Sequence, residues 1–448
     1  MRSMTTILED VTVPEVLPHR GPMWRVVLGS MATGLVLALL LVFVVFTGGR
    51  EYVITGSALV AFAAGWAMLA VLSARLTTQP QRWAFVPAAF MAFAGVVLFV
   101  TSPGDAAITD AGWVWPPIVL ALSVWMFVQV RRSLVGRVRW VLYPLVAMLF
   151  AGSVGGGYET IAIARDQHDY TAPGTLYDVD GHRLHLHCVG SGSPTVVLQN
   201  GLGDMSLIWS RIIAEVSATT RVCAYDRPGQ GWSDDVADPQ DGIEIAADLH
   251  MLLQVAGEHG PFVMAGHSSG GAYTLIYAAQ YPDEVAGVVL LDSMSPHQFT
   301  MVKGYDTQFT MMTMGLAVAP SIFRFGVARM MPASAYSNLP EPLATEYRSF
   351  ATSPRYMRNM RDEQSTFHDM LDQAQSLTTL GDTPLVVLTT TEQLDKADGW
   401  DDAQDQLAAL STDTDHRVVD ATHGGMLDDP DAYAMSVDAI LDVVAATR

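Results

Sequence analysis

The pattern of apolar and polar positions changes character once along the chain, near residue 165. Before that point, apolar residues come in five long runs, at about 23–47, 53–74, 83–101, 112–130 and 140–158. Each is close to the ~20 residues a helix needs to cross a bilayer, and none carries a charge in its middle. A buried helix of a soluble domain keeps a polar face, and these runs have none. They predict an all-α bundle of five transmembrane helices over 23–160, with a tail at 1–22 and a linker at 161–175. Trp24, Trp83, Trp113, Trp115 and Trp140 stand at run ends, where an amphipathic indole prefers the headgroup layer. The first run is too long for a cleaved leader, and Glu9, Asp10 and Glu15 spoil a basic start.

From residue 176 the texture is that of a soluble α/β domain. Thr175–Ser193 alternates apolar and polar around an Asp180–Gly181 turn, a hairpin signal. Short apolar runs end in Gly-rich or Pro-rich turns at 194–201, 221–234, 261–271, 285–293, 383–390 and 416–425. These suit buried parallel strands. Amphipathic helical segments fall between them at 207–216, 242–256, 272–281 and 430–446. Strands alternating with helices predict a mostly parallel sheet covered on both faces.

Charge sharpens the boundary. The 448 residues carry a formal net charge of -21, which disfavours a nucleic-acid partner. Residues 1–165 contribute +4 and residues 166–448 contribute -25. Nine arginines lie in the tail and the second and fourth connections, against two on the other side. That bias predicts a cytoplasmic N-terminus and, with five crossings, an extracytoplasmic second part. Two Lys against 23 Arg suits a GC-rich, bacterial source and a plasma-membrane location. No charge lies in the middle of a run to suggest an ion path, so anchoring is expected rather than transport.

Three turns carry chemistry. Gly266-His267-Ser268-Ser269-Gly270 is a G-x-S-x-G between a strand and a helix. A serine on that tight turn is lifted out of the sheet, with helix N–H groups aimed at the site. Asn200-Gly201-Leu202-Gly203 follows an earlier strand, and Asp226-Arg227-Pro228-Gly229-Gln230-Gly231-Trp232-Ser233 follows the next. His423 stands in a late loop, "ATHGGMLDDP". In this order the motifs resemble the α/β-hydrolase superfamily, in its lidded branch of esterases, lipases and related hydrolases, over about residues 172–447. Asn200 stands where the family usually has His. The resemblance implies a carboxylic ester hydrolase in which Ser268 attacks a carbonyl and His423 takes and returns the proton. The N–H groups of Leu202 and Ser269 would hold the oxyanion. A Ser nucleophile disfavours epoxide and haloalkane chemistry.

The acid is less sharply indicated. The family usually places it just after the strand that here is 383–390, where Gln393 occupies the expected position. Glu392 and Asp395 flank it and are the leading candidates. Asp292, after the preceding strand, is the fallback, with a structural aspartate as its plain alternative. A segment of about 90 residues between Asp292 and Thr383 is too long for a simple connection and reads as a helical lid at about 294–380. Ten of the 23 methionines lie in it, interleaved with Phe, which suits an adaptable apolar pocket for a lipid-like acyl ester. Ordinary lid packing explains most of them.

His182, His185 and His187 lack a completing ligand set, so no metal is expected, and no cofactor. Cys188 and Cys223 are the only cysteines. Their strands correspond to the family's second and fourth, which lie side by side, so a bridge is conceivable. Neighbouring strands alone do not bring Cβ atoms to bonding separation, and two buried free thiols are the expectation. Other readings stay open: an amidase, aminopeptidase or acyltransferase on the same residues, a non-catalytic membrane binding or sensor module, or a transport-coupled protein.

Overall fold

A computed structural model describes residues 22–335 and 337–448. The expected tail falls almost wholly outside the described residues. The apolar runs form α1 (Met23–Leu40, continued by a wider turn, Leu41–Val45), α2 (Glu51–Leu76), α3 (Phe85–Thr101), α4 (Asp105–Asp110), α5 (Trp115–Ser133) and α6 (Arg139–Asp169). Four helical segments are long and apolar enough to cross a membrane: Met23–Val45, Glu51–Leu76, Arg82–Thr101 and Gly136–Asp169. A fifth arises if Asp105–Trp113 and Trp115–Ser133, bent by 50°, count as one span. The break has a local cause. Pro116 and Pro117 suit the first turn of a new helix, not the middle of an old one. The expected linker is mostly absent, because α6 runs to Asp169. Close packing of α1 on α2 uses small residues: a Cβ on Gly65 would sit 2.9 Å from the Ser30 carbonyl oxygen.

The second part is an eight-stranded sheet in the order β1-β2-β4-β3-β5-β6-β7-β8. The strands are β1 (Thr175–Val179), β2 (His182–Val189), β3 (Thr195–Gln199), β4 (Val222–Tyr225), β5 (Phe262–His267), β6 (Val285–Leu291), β7 (Leu385–Thr390) and β8 (Thr414–Val419). β1 and β2 form the expected hairpin, with both Asp180 (φ 49°) and Gly181 (φ 90°) left-handed. β2 runs antiparallel to β4, and the remaining neighbours are parallel. Every residue of β3 to β5 is buried. Alternate residues feed two core layers. Val197 and Met264 face one layer, with α8 (Gly242–Ala256) and α9 (Ser269–Gln280). Val196, Leu198, Val263 and Ala265 face the other, with α7 (Ser210–Val216) and α18 (Tyr433–Ala446).

The expectation of free thiols is overturned. The antiparallel register of β2 and β4 sets Cys188 directly opposite Cys223, and the two are joined in a disulfide.

The segment between β6 and β7, expected to be a lid, comprises α10 (Gln298–Met301), α11 (Tyr305–Phe323), α12 (Leu343–Ala351), α13 (Pro354–Ser365) and α14 (Phe367–Ala374). It does not stand free over the sheet but packs on the apolar bundle. Ala317 of α11 is buried with Val42 and Ile54, and Ser321 shares a 2.7 Å hydrogen bond with Thr55. Three lid arginines meet carboxylates at helix ends of the bundle. Arg324 pairs with Glu51, Arg329 with Glu159 (2.6 Å) and Asp166 (2.7 Å), and Arg358 with Asp105 (2.5 Å). Glu51 and Glu159 are each 2% exposed. Desolvated carboxylates at this depth persist because each has an arginine. Short helices complete the chain: α15 (Thr391–Lys396), α16 (Trp400–Ala408) and α17 (Gly425–Asp428).

Candidate active site

Ser268 sits between β5 and α9 with φ 55° and ψ -124°, a strained conformation for a non-glycine residue. The flanking glycines permit it. A Cβ on Gly266 would meet the Gly270 carbonyl oxygen at 2.4 Å, and one on Gly270 would meet the Gln199 carbonyl oxygen at 2.3 Å. Ser269 opens α9, so its N–H lies in the first turn, where no helical carbonyl can receive it. Gly201, next to Leu202, lies against the Ser268 turn: a Cβ there would be 3.2 Å from Ser268 Cβ.

His423 lies beside this turn. Its carbonyl accepts from His267 Nε2 at 2.8 Å, and the two imidazoles are 4.6 Å apart between centroids. Burial, reinforced by the nearby His423 charge, pushes His267 down to about 3, so it stays neutral. His423 Nδ1 is bonded to Asp292 Oδ2 at 2.6 Å. This commits one ring nitrogen and leaves Nε2 for proton exchange.

Of the three acid candidates, the geometry brings Asp292 to the imidazole and leaves Glu392 and Asp395 away from it. Asp292, the fallback, is the carboxylate at the His423 ring. It follows β6 with φ 45° and is fully buried. Oδ1 accepts from Thr390 N–H and Trp400 Nε1, both at 3.1 Å, and Oδ2 also accepts from Thr390 Oγ1 at 2.8 Å. Burial opposes ionisation, but the His423 bond and charge and the Thr390 donors outweigh it and hold the carboxyl below its ordinary range. Glu392 instead accepts from the His423 backbone N–H at 2.7 Å and pairs with Lys396. Asp395 is exposed on α15. The local reason is a cap: Thr390 Oγ1 accepts from Gln393 N–H and starts a helix directly after β7. No loop remains there to swing a side chain toward the imidazole.

A second group of residues was not singled out by sequence. Arg227, 1% exposed in its side chain, donates to the carbonyl oxygens of Asn200 (2.8 Å) and Gly201 (2.9 Å) and to Glu363 Oε1 (2.9 Å). Glu363 also accepts from Gly203 N–H at 3.2 Å. The loop around Leu202 is thus held on both sides by one buried ion pair, half of it supplied by lid helix α13. Arg227 was visible as part of a motif, but nothing in the spacing marked Glu363. Asn200, in place of the family's usual His, accepts from Trp209 Nε1 at 2.7 Å and donates to the Tyr225 carbonyl oxygen at 2.8 Å. The three histidines of the hairpin do not converge: His182 pairs with Asp248 and His185 with Asp226.

The family model described as "alpha/beta hydrolase fold" matches residues 194–430. The chain belongs to the α/β-hydrolase family, as the motifs implied. An uncharacterized protein of Schizosaccharomyces pombe is 27% identical over 391 residues, covering 78% of this chain and 69% of that protein. A probable transporter of Hormonema carpetanum is 29% identical over 142 residues, 30% of this chain but 20% of that protein. Among solved structures, the Cif epoxide hydrolase from Acinetobacter nosocomialis superposes with a TM-score of 0.52 over 65% of this chain and 96% of its own, at 16% identity. That likeness shows a common fold. Together the fold and family support a hydrolase.

Proposed function

We propose that this chain is a membrane-anchored serine hydrolase that cleaves carboxylic esters through an acyl-enzyme. Ser268 attacks the carbonyl, His423 Nε2 takes its proton and delivers it to the leaving alcohol, and Asp292 orients and stabilises the imidazolium. The N–H groups of Ser269 and Leu202 receive the developing oxyanion. Water then repeats the sequence on the acyl-enzyme. The observation that carries this reading is the 2.6 Å bond from His423 to buried Asp292, behind a serine on a strained strand–helix turn. A fluorophosphonate probe tests it. The full chain in detergent is expected to label, and Ser268→Ala to lose the label; equal labelling of the two would end the proposal.

The hydrolase domain is assigned to the extracytoplasmic side, supported by the arginine bias of the bundle and by the disulfide, which suits an oxidising compartment. The lid favours a lipophilic acyl group. Where it leaves the bundle it exposes Phe325 and Met331, and Met330 is 85% exposed. Apolar groups this close to membrane helices gain by facing lipid. Reporter fusions at the C-terminus test the orientation; a cytoplasmic signal would overturn it.

A further inference from the structure

One largely buried carboxylate beside Ser268, its side chain 21% exposed, has no part in the proposed mechanism. Asp204 lies just beyond the loop that carries Leu202. A Cβ on Gly201 would sit 3.0 Å from Asp204 Oδ2 and 3.2 Å from Ser268 Cβ, so carboxylate and nucleophile flank one point. A negative charge there opposes the oxyanion that the site must stabilise. Its protein partners do not neutralise it. Tyr347 donates to Oδ1 at 2.9 Å, and the His267 ring, 3.9 Å from Oδ2, is held neutral by burial.

Asp204 faces a cavity of about 250 Å³ between the Leu202 loop, the His423 loop and the lid, lined also by Tyr347, Ser337, Asn338, Gly424 and Asp428. Asp428 is a second buried carboxylate, held only by neutral donors of Asn338, the backbone N–H at 2.6 Å and the side-chain amide at 3.2 Å. No basic side chain is among the described lining residues. Ser337, 7% exposed, lines the same cavity with its hydroxyl lacking a hydrogen-bond partner. A buried hydroxyl left open and two carboxylates with no Lys or Arg in hydrogen-bond contact, Arg227 and Arg211 acting on them only from farther off, form an incomplete set.

We infer that this cavity is a subsite for a substrate ammonium group, seated between Asp204 and Asp428 beside the reacting carbonyl. The inference rests on Ser268 being the nucleophile. A bound ammonium offsets the Asp204 charge at the moment the oxyanion forms, and Ser337 can orient it. Two substrate sources share this chemistry: an ester whose alcohol carries the ammonium, and an aminoacyl compound with a free α-amino group.

The test has a kinetic and a binding part, both on the full chain in detergent. Acetylcholine is compared with its uncharged carbon isostere, 3,3-dimethylbutyl acetate, and alanine p-nitroanilide with its N-acetyl form. At least a tenfold higher kcat/KM is expected for the cationic member of one pair, and the pair concerned identifies the source. That ratio should fall toward unity in Asp204→Asn and in Asp428→Asn. Binding of tetramethylammonium to Ser268→Ala is measured by calorimetry, with tenfold weakening expected on adding Asp428→Asn. Ratios within twofold of unity in wild type, or equal loss on both members of a pair in the variants, would overturn the subsite. Absent labelling of Ser268 with tetramethylammonium still bound would sink the hydrolase reading and keep the cation site.

Discussion

The Glu363–Arg227 pair offers a sharp perturbation, because it joins α13 to the Leu202 loop, proposed above to hold the oxyanion, without touching the expected path of the substrate. Glu363→Gln keeps the shape and an acceptor for Arg227 Nε but removes the charge. Both side chains are buried, at 1% and 7% exposed. Removing one member of such a pair costs about 3–5 kcal/mol when nothing replaces it. A charge-assisted bond reduced to a neutral one forfeits about 1.5–3 kcal/mol. We expect Glu363→Gln to lower stability by about 2 kcal/mol and Glu363→Ala by more. The catalytic effect has its own ceiling. Gly203 N–H and the carbonyls of Asn200 and Gly201 are the handles that hold the Leu202 loop. Complete loss of one oxyanion donor costs about 10²–10³ in kcat. A loosened loop should cost about tenfold with Gln and approach that ceiling with Ala. KM should change little, since the donor acts on the transition state. The assay is steady-state hydrolysis of a short p-nitrophenyl ester, with thermal unfolding of the same preparations. If the melting temperature falls while kcat stays within about twofold, the pair is structural only and the argument for loop positioning fails.

Three further outcomes follow from the same geometry. Asp292→Asn should lower kcat about 10³–10⁴-fold, whereas Glu392→Gln and Asp395→Asn should each stay within about tenfold; comparable losses in all three would remove Asp292 from its role. Burial, only partly offset by the Tyr347 bond, raises Asp204 to about 6 from an ordinary 3.8. The ionised form is therefore the disfavoured one in the folded state, a penalty present above pH 6 and relieved as pH falls toward 4. Asp204→Asn should stabilise the chain at pH 8 by up to about 3 kcal/mol and hardly at pH 4; denaturant titrations at the two pH values decide, and equal effects at both would refute it. Arg329→Ala leaves Glu159 and Asp166 at the lid–bundle junction without their cation, for a loss of about 3–5 kcal/mol. The double variant Arg329→Met with Glu159→Leu should recover much of that, and no recovery in a double-mutant cycle would show the pair is not what holds the lid.

How far sequence carried the structure depended on the range over which each feature is encoded. The strand order, the hairpin at Asp180–Gly181, the elbow at Ser268 and the position of His423 are set within single turns. There Gly spacing and apolar period leave few alternatives. The change of texture near residue 165 is a matter of composition, which every window on either side repeats, but it does not mark an element end, since α6 runs on to Asp169. What misled was register and distance. Asp292 and Glu392 each follow a strand of the parallel sheet, and only the cap made by Thr390 decides which carboxylate faces the ring. Cys188 and Cys223 could be assigned to neighbouring strands, but not to opposite positions across them. The longest-range features left no local trace. Arg324, Arg329 and Arg358 read as ordinary lid charges, and Glu51, Glu159 and Asp105 as ordinary ends of apolar runs. Each loses most of its hydration on docking, and each meets a partner more than 150 residues away in the chain, Arg358 pairing also with Asp235. A single sequence shows these charges one by one. The pairing belongs to the docked segment between β6 and β7, and it is the docking that brings α13, with Glu363 near one end and Arg358 nearer the other, between the apolar helical bundle and the loop of Leu202.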